Sequence, residues 1–156
     1  MVSGEKISLS KISGSIDMED ARKLTSQMTY LEQQAESLKL NLDYLKSHLQ
    51  ELIVAKETMD NILKAEKGQE VLFPLGAGCF TSGHIDDVEN VIIDIGSRVS
   101  VKQDMKKGIS TMEKRIEEVR KIVSNTSAAY KNIREEMEML ESKAREIMQQ
   151  SYQKTQ

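Results

Sequence analysis

Apolar residues recur along two long stretches of the chain at alternating steps of three and four. The first stretch runs from Leu24 to Leu63 and is broken only by Lys56, and the second runs from Met105 to Ile147 with a single interruption. A mean step of about 3.5 residues is the period of a coiled coil, whereas a helix on a globular core keeps a period of about 3.6. The pattern therefore predicts two long coiled-coil helices.

The two stretches are similar in length, which favours an antiparallel pair joined through the segment between them. Each spans roughly 40 residues, or roughly 60 Å as a helix. We expect Leu63 to lie near Met105 and Leu24 near Ile147. The predicted segments are a flexible N-terminal tail (1–16), an N-terminal coiled-coil helix (17–66), two β-hairpins (67–103), a C-terminal coiled-coil helix (104–152) and a short tail (153–156).

The segment between the helices changes to residues that favour strands. Residues 90–95 and 98–101 alternate apolar and polar positions around Gly96-Ser97, which predicts a hairpin. Residues 70–75 and 80–85 predict another hairpin, with Gly76 and Gly78 in its turn. The fold class is therefore α+β: a long antiparallel two-helix coiled coil with two central β-hairpins that join an oligomeric β-barrel body.

Two isolated hairpins have no stable form as single units, because a two-stranded hairpin is marginal in water and its edges accept further strands. The sequence therefore predicts an obligate oligomer in which hairpins of several subunits close together. The residues expected at the subunit interface are Val71, Phe73, Leu75, Val91, Ile93, Ile95, Val99 and Val101.

The Gly76-Ala77-Gly78 stretch also suggests a phosphate-binding loop, but its context does not fit one. Thr81 stands where a dinucleotide fingerprint needs its third glycine, and a strand follows in place of a helix. We therefore interpret the pair as a hairpin turn. No pattern of residues indicates a catalytic site, a metal site or a cofactor, and we expect the protein not to be an enzyme.

The charge limits the classes of partner, and the cysteine content bears on the cellular location. The chain mixes 22 basic with 25 acidic residues, for a net charge of -3, which does not favour nucleic acid as a partner. A lone Cys79 has no second cysteine for a disulfide, which favours a reducing, cytoplasmic location. No run of apolar residues reaches the length of a membrane span, and the N-terminus does not resemble a signal peptide.

Apolar residues continue beyond the regular pattern at the free ends of the two predicted helices. Methionine and aliphatic side chains suit a surface that accepts many partners, although disordered ends are an open alternative. The residues expected to contact such partners are Ile16, Met18, Leu24, Met28, Leu140, Ile147 and Met148.

The order helix, two hairpins, helix resembles the α subunit of archaeal prefoldin. The segment VLFPLGAGCF (71–80) resembles the entry into the first hairpin of that subunit, and VIIDIGSRVSVKQD (91–104) resembles its second hairpin running into the C-terminal helix. The coiled-coil arms extend the resemblance over about residues 20–152. The presence of two hairpins favours the α subunit, because β subunits of this family carry one.

The resemblance implies a hexamer of two α and four prefoldin β subunits, so that the partners are β subunits and a second α subunit. It further implies that non-native client proteins are held at the coiled-coil tips without ATP and passed to a group II chaperonin. Two other hypotheses remain: a structural scaffold or filament in which the hairpins polymerise, and an enzyme that uses the Gly76–Gly78 loop.

Overall fold

The computed structural model describes the backbone of residues 6–153 and the side chains of residues 19–147 and Gln149. Two long helices flank two β-hairpins, which confirms the predicted α+β fold class. The elements are α1 (Lys6–Lys64), β1 (Glu70–Gly76), β2 (Cys79–His84), β3 (Asn90–Asp94), β4 (Ser100–Asp104) and α2 (Met105–Gln153).

Helix α1 begins at Lys6, earlier than the predicted boundary at residue 17. Serine and glycine between residues 6 and 17 suggested a tail, but an existing helix gains one hydrogen bond for each residue it adds. A single glycine such as Gly14 costs only about 1 kcal/mol in a helix. The predicted tail therefore extends the helix from Lys6 onward.

Helix α2 begins directly after β4, and Asp104 caps its first turn. The Asp104 carboxylate accepts hydrogen bonds from the backbone N–H groups of Lys106 and Lys107, at 2.9 and 3.2 Å. These amides have no partner within the helix, so an aspartate cap is worth about 1 kcal/mol. The strand-to-helix transition therefore needs no linker.

One compact unit comprises residues 44–123 and contains both hairpins together with the adjoining parts of the helices. Its core joins residues of α1, β3 and α2, and Met105 at its centre is only 2% exposed. Leu63 packs against the cluster that contains Met105, as the antiparallel arrangement predicts. The core members are Leu52, Met59, Ile93, Met105, Ile109, Met112 and Ile116.

The other unit combines the described residues up to Asp43 with those from Ser124 onward. Leu31 and Ala35 of α1 pack against Met137 of α2, and Tyr130 and Ile133 cover the cluster. Each of these residues occupies a position of the predicted 3.5-residue pattern. These residues form a narrow apolar contact between two antiparallel helices, which is the seam of a coiled coil.

The two hairpins share one pairing register, displaced by twenty residues. Strand β1 pairs with β2 from Glu70 opposite His84, and β3 pairs with β4 from Asn90 opposite Asp104, each partner twenty positions further on. Both pairs are antiparallel and form separate two-stranded sheets. The hairpins are therefore structural repeats, which their different side chains conceal in the sequence.

The turns of the two hairpins also correspond. Ala77 and Gly78 have φ of 49° and 78°, and Ser97 and Arg98 have φ of 52° and 62°. Two successive residues with positive φ form the type I′ turn that suits the twist of a hairpin. The second turn is thus Ser97-Arg98, one residue later than the predicted Gly96-Ser97, and Arg98 is not part of a strand.

Each turn is preceded by a glycine whose backbone requires the left-handed region. Gly76 has φ of 103° and Gly96 has φ of 99°. In the first hairpin the register shifts between Pro74 and Gly76, so Leu75 is an extra residue without a partner. Gly76, Gly78 and Gly96 therefore permit the backbone of the turns.

Candidate functional site

The second hairpin lies on the helices of its own chain. Ile93 is 4% exposed in the core of the unit, and Val91 packs against the same cluster. Within the single chain, their face of the hairpin packs against Met59 and Met105, and the predicted contact of Val91 and Ile93 with other subunits stays a prediction. Among the remaining interface candidates of this hairpin, Ile95, Val99 and Val101 are 58%, 48% and 40% exposed.

Gly108 of α2 makes this docking possible. A Cβ atom on Gly108 would lie 2.6 Å from Val91 Cγ1, 2.7 Å from Met59 Cε and 3.2 Å from Ile93 Cδ1. Carbon–carbon distances below 3 Å are shorter than packed atoms tolerate. The hairpin therefore rests in a gap that a side chain at residue 108 would fill.

The first hairpin exposes apolar side chains on both faces. Phe73 is 47% exposed and lies over Gly83, where a Cβ would come within 2.6 Å of the ring. On the opposite face, Leu72 is 67% and Phe80 is 60% exposed. Val71 lines a depression with Ile62 of α1. This hairpin is the richest exposed apolar surface among the strands and a candidate assembly surface.

Sequence reasoning did not include Leu72 and Phe80 in that surface, or Ile92 among the contacts of the second hairpin. The period-two pattern was assigned to one face, and these residues occupy the other face, with Ile92 70% exposed. The signal was present in the runs VLF and VII, where successive apolar residues indicate a strand that is apolar on both sides.

Asp87 orders the loop between the hairpins. Its carboxylate accepts hydrogen bonds from the backbone N–H groups of Glu89 and Asn90, from the Asn90 amide and from Lys102 Nζ at 2.9 Å. The Lys102 ammonium, followed by the Asn90 amide, lowers the pKa of Asp87 to about 2. This side chain therefore connects the loop to both strands of the second hairpin.

The residues expected to bind partners at the helix ends are only partly described. Leu24 and Met28 are half-buried, and Ile147 is 37% exposed. Leu140 packs against the cluster of Leu31, so it also stabilises the helix pair. The side chains of Ile16, Met18 and Met148 lie outside the described residues.

Two exposed apolar side chains in the same unit, besides Leu40 at 66% exposed, lie off the predicted seam. Tyr30 and Met139 are each 60% exposed. Gln34 donates a hydrogen bond to the Tyr30 hydroxyl at 2.6 Å, which orients the ring along α1. A heptad analysis selects only seam positions and therefore overlooked both residues.

The other sequence candidates have simple environments. Cys79 is an exposed thiol in the first hairpin. His48 stacks on Tyr44 with ring centroids 6.4 Å apart. In the described part of the chain, no three His, Cys, Asp or Glu side chains come together as metal ligands. None of the described helical segments combines the length and hydropathy needed to cross a bilayer.

Comparison with known proteins gives one consistent family. Residues 31–150 match the family model described as Prefoldin subunit. The chain is 32% identical over 131 residues to prefoldin subunit alpha of Pyrococcus horikoshii, covering 83% of this chain and 88% of that protein. It is 38% identical over 104 residues to prefoldin subunit alpha 1 of Thermococcus kodakarensis, covering 64% of this chain and 70% of that protein.

A solved structure has a similar fold. The structure described as filamentous PFD from Methanocaldococcus jannaschii superposes with a TM-score of 0.63 and 16% sequence identity. The superposition covers 76% of this chain and 98% of the other. The fold of this chain is therefore similar to that of a known structure.

Proposed function

This chain belongs to the prefoldin family of chaperone subunits, and from that premise we propose that it is an α-type subunit of an ATP-independent holding chaperone. It assembles with prefoldin β subunits and a second α subunit as an α2β4 hexamer in the cytoplasm. The complex binds non-native client proteins at the ends of its helices and delivers them to a group II chaperonin. No enzymatic step, nucleic acid or membrane enters this function.

Assembly is supported by the exposed apolar surface of the first hairpin. Burying a side chain such as Leu72 or Phe80 contributes about 1.5–3 kcal/mol, and both are mostly exposed in the single chain. A pair of strands that leaves such residues in water gains stability when other strands cover them. The proposed subunit contacts are Leu72, Phe73, Leu75 and Phe80, with Ile95, Val99 and Val101 of the second hairpin.

Client binding is supported by apolar side chains in the unit that contains the helix ends. Tyr30, Met139 and Ile147 are exposed there, while the neighbouring seam residues are occupied by helix packing. Each contact is weak alone, but several subunits acting on one client raise avidity by about 10²- to 10⁴-fold. A non-native protein exposes matching apolar surface, whereas a folded protein exposes much less.

The test uses the complex assembled with a prefoldin β subunit and removes residues 1–22 and 143–156 of this chain. We expect the assembly to keep its mass but to lose most of its suppression of aggregation of a chemically unfolded enzyme, measured by light scattering. A finer variant, Y30S/M139S, should weaken suppression in the full-length complex. The matched control Q33S/E138S changes neighbouring exposed polar residues and should have no effect. Unchanged suppression by the truncated complex would contradict client binding at these ends.

A scaffold or filament subunit is the second candidate, favoured by the similar fold of the filamentous protein from Methanocaldococcus jannaschii. The two candidates differ in mass: a hexamer has a fixed mass, whereas a filament grows with concentration. Sedimentation of the chain with and without a β subunit separates them. Mass that increases without limit in the presence of the β subunit would favour the filament.

A further inference from the structure

Lys56 is the one charged residue in the apolar seam of α1. The neighbouring seam positions, Leu49, Leu52 and Met59, belong to the core cluster of the unit of residues 44–123 or pack against it. The Lys56 side chain is only 29% exposed, so its ammonium is partly removed from water. A single lysine in a coiled-coil seam lowers stability but can specify the register that the helices adopt.

Two carboxylates hold the Lys56 ammonium at the seam. Its Nζ donates a hydrogen bond to Asp60 Oδ2 at 3.0 Å, one turn further along α1. The same nitrogen lies 3.5 Å from Glu113 Oε1 of α2. Asp60, followed by Glu113, raises the pKa of Lys56, so the ammonium keeps its charge. Among the described residues, the pair of Lys56 and Glu113 is the only ion pair that joins α1 to α2.

The seam is open to water beside Lys56. A surface depression of about 390 Å³ adjoins it, with Ile53 and Ile116 contributing apolar surface and Glu57 and Glu117 contributing charge. Water in this depression leaves the ammonium part of its hydration, so a charge costs less here than in a closed core. The position can therefore hold a lysine without unfolding the helix pair.

The residues one heptad before and one heptad after Glu113 on α2 are both basic. Lys106 precedes it by seven positions and Arg120 follows it by seven, so the three lie on one side of a coiled-coil helix. Arg120 lines the same depression as Lys56 and Glu113. If α2 shifted by one heptad in either direction, Lys56 would meet Lys106 or Arg120 instead of a carboxylate. Repulsion between like charges disfavours both alternatives.

The apolar seam residues distinguish these registers poorly. A shift of one heptad sets each side chain of the α1 seam against another aliphatic side chain of α2, and hydrophobic side chains of similar volume replace one another at small cost. The α2 residues concerned are Ile109, Met112, Ile116 and Val119. The charges of Lys56 and Glu113 therefore carry information on register that the apolar pattern lacks.

We propose that Lys56 fixes the register of α1 against α2. Glu113 attracts it in the observed register, and Lys106 and Arg120 repel it in the registers one heptad away. Docking of the second hairpin at Gly108 is a further constraint, and the variants below leave it in place. This inference concerns how the chain selects its own fold, and it does not depend on the proposed chaperone function.

The test measures the alignment of the two helices as the distance between two spin labels in the full-length chain. Cysteines replace the exposed Ser47 of α1 and Ser110 of α2 in a Cys79→Ser background. Excess unlabelled chain ensures that double electron–electron resonance records only distances within one chain. A shift of one heptad moves α2 along α1 by about 10 Å, so a shifted register gives a second distance. We expect the unaltered seam to give one distance.

Lys56→Leu removes both the attraction and the repulsion. We expect a second distance in at least about 10% of the molecules. The urea midpoint should stay the same or rise, because an apolar side chain suits the seam. Lys114→Leu is the matched control, since it changes an exposed lysine beside Glu113 and should keep the single distance. One unchanged distance for Lys56→Leu would overturn the proposal and leave the hairpin as the constraint on register.

Reversal of charge separates selection of a register from simple stabilisation. Lys56→Glu repels Glu113 and attracts the basic residues on either side, so its share of shifted distances should exceed that of Lys56→Leu. The double variant K56E/E113K gives the new carboxylate a basic partner in all three registers. It should recover the urea midpoint of the wild type and still show more than one distance. Recovery of a single distance together with the midpoint would mean that the ion pair only stabilises the helices, and would refute the proposal.

Discussion

At the scale of the residue, Gly108 decides whether the second hairpin can approach the helices. Its missing side chain leaves room for Val91 and Ile93 of β3 and for Met59 of α1, which fill the space from two elements. Glycine normally costs a helix about 1 kcal/mol relative to alanine. Here that cost is offset by burial of Ile93, the least exposed residue of the strands.

We expect Gly108→Val to destabilise the unit of residues 44–123 by about 1–3 kcal/mol, because the added methyl groups overpack the gap. Ser110→Val is the control, since Ser110 is an exposed position on the same helix. Urea unfolding monitored by circular dichroism gives the free energies. Equal effects of the two substitutions would contradict the role of Gly108.

Asp87 gives a prediction on pH. Its pKa is lowered to about 2 from the ordinary value of 3.8, so the folded state binds the proton more weakly than the unfolded chain. The stabilisation is therefore complete above pH 4 and is lost as the pH falls towards 2. We expect Asp87→Ala to lower the melting temperature at pH 7 by an amount that shrinks below pH 4.

Lys102→Ala should also lower the melting temperature at pH 7, by less than Asp87→Ala and by an amount that shrinks below pH 4. The reason is that the Lys102 ammonium is the main cause of the lowered pKa of Asp87. Asp86→Ala serves as the control on the neighbouring residue. A melting-temperature difference between wild type and Asp87→Ala that stayed constant from pH 7 to pH 2 would exclude this linkage.

At the scale of the element, the two hairpins repeat one backbone with different side chains. Both use a glycine followed by two residues of positive φ, but only Gly78 of the four turn residues is suited to that conformation by lacking a side chain. Ala77, Ser97 and Arg98 adopt it because the register on either side leaves no alternative. The repeat is therefore visible in the register and obscured in the sequence.

The first turn can be improved by one substitution. Ala77→Asn creates the Asn-Gly pair that type I′ turns prefer, and we expect it to stabilise the hairpin by about 0.5 kcal/mol. Ala128→Asn is the matched control on an exposed helical position, where the same change should destabilise by a similar amount. Thermal unfolding measures both. A destabilising Ala77→Asn would mean that φ at this position is negative in solution.

At the scale of the whole molecule, the chain has apolar groups that its own fold leaves in water. The helices cover the inner face of the second hairpin, while Leu72 and Phe80 on the first hairpin have no cover within the described chain. Membership of the prefoldin family provides the reason, because its members function as assembled subunits. This supports the proposal that the exposed residues form contacts between subunits.

We expect Phe80→Ser to dissociate the assembly without reducing helix content, because Phe80 is 60% exposed in the single chain. Ile122→Ser changes an exposed apolar residue on α2 and should leave the assembly intact. Phe73 is a less suitable target, since its ring lies on Gly83 and also supports the hairpin. Sedimentation gives the mass, and an unchanged mass for Phe80→Ser would contradict its place in the interface.

The sequence by itself determined the two helices, their antiparallel pairing, the two hairpins and the family. Periodicity and turn residues are local signals, so Leu63 near Met105 and the turn at Gly78 could be read directly. The start of α1 at Lys6 was missed, because continuing a helix costs less than local composition suggests.

Only the tertiary structure decided which apolar residues serve the chain itself. Alternation assigns side chains to one of two faces, but it does not say which face the helices cover. Ile93, a predicted subunit contact, packs against Met59 and Met105 of its own chain, while Leu72 and Phe80 remain exposed. Pro74, which cannot donate a backbone hydrogen bond, is visible in the sequence. The hydrogen bond from Arg115 to the Asp94 carbonyl, in contrast, exists only in the folded chain.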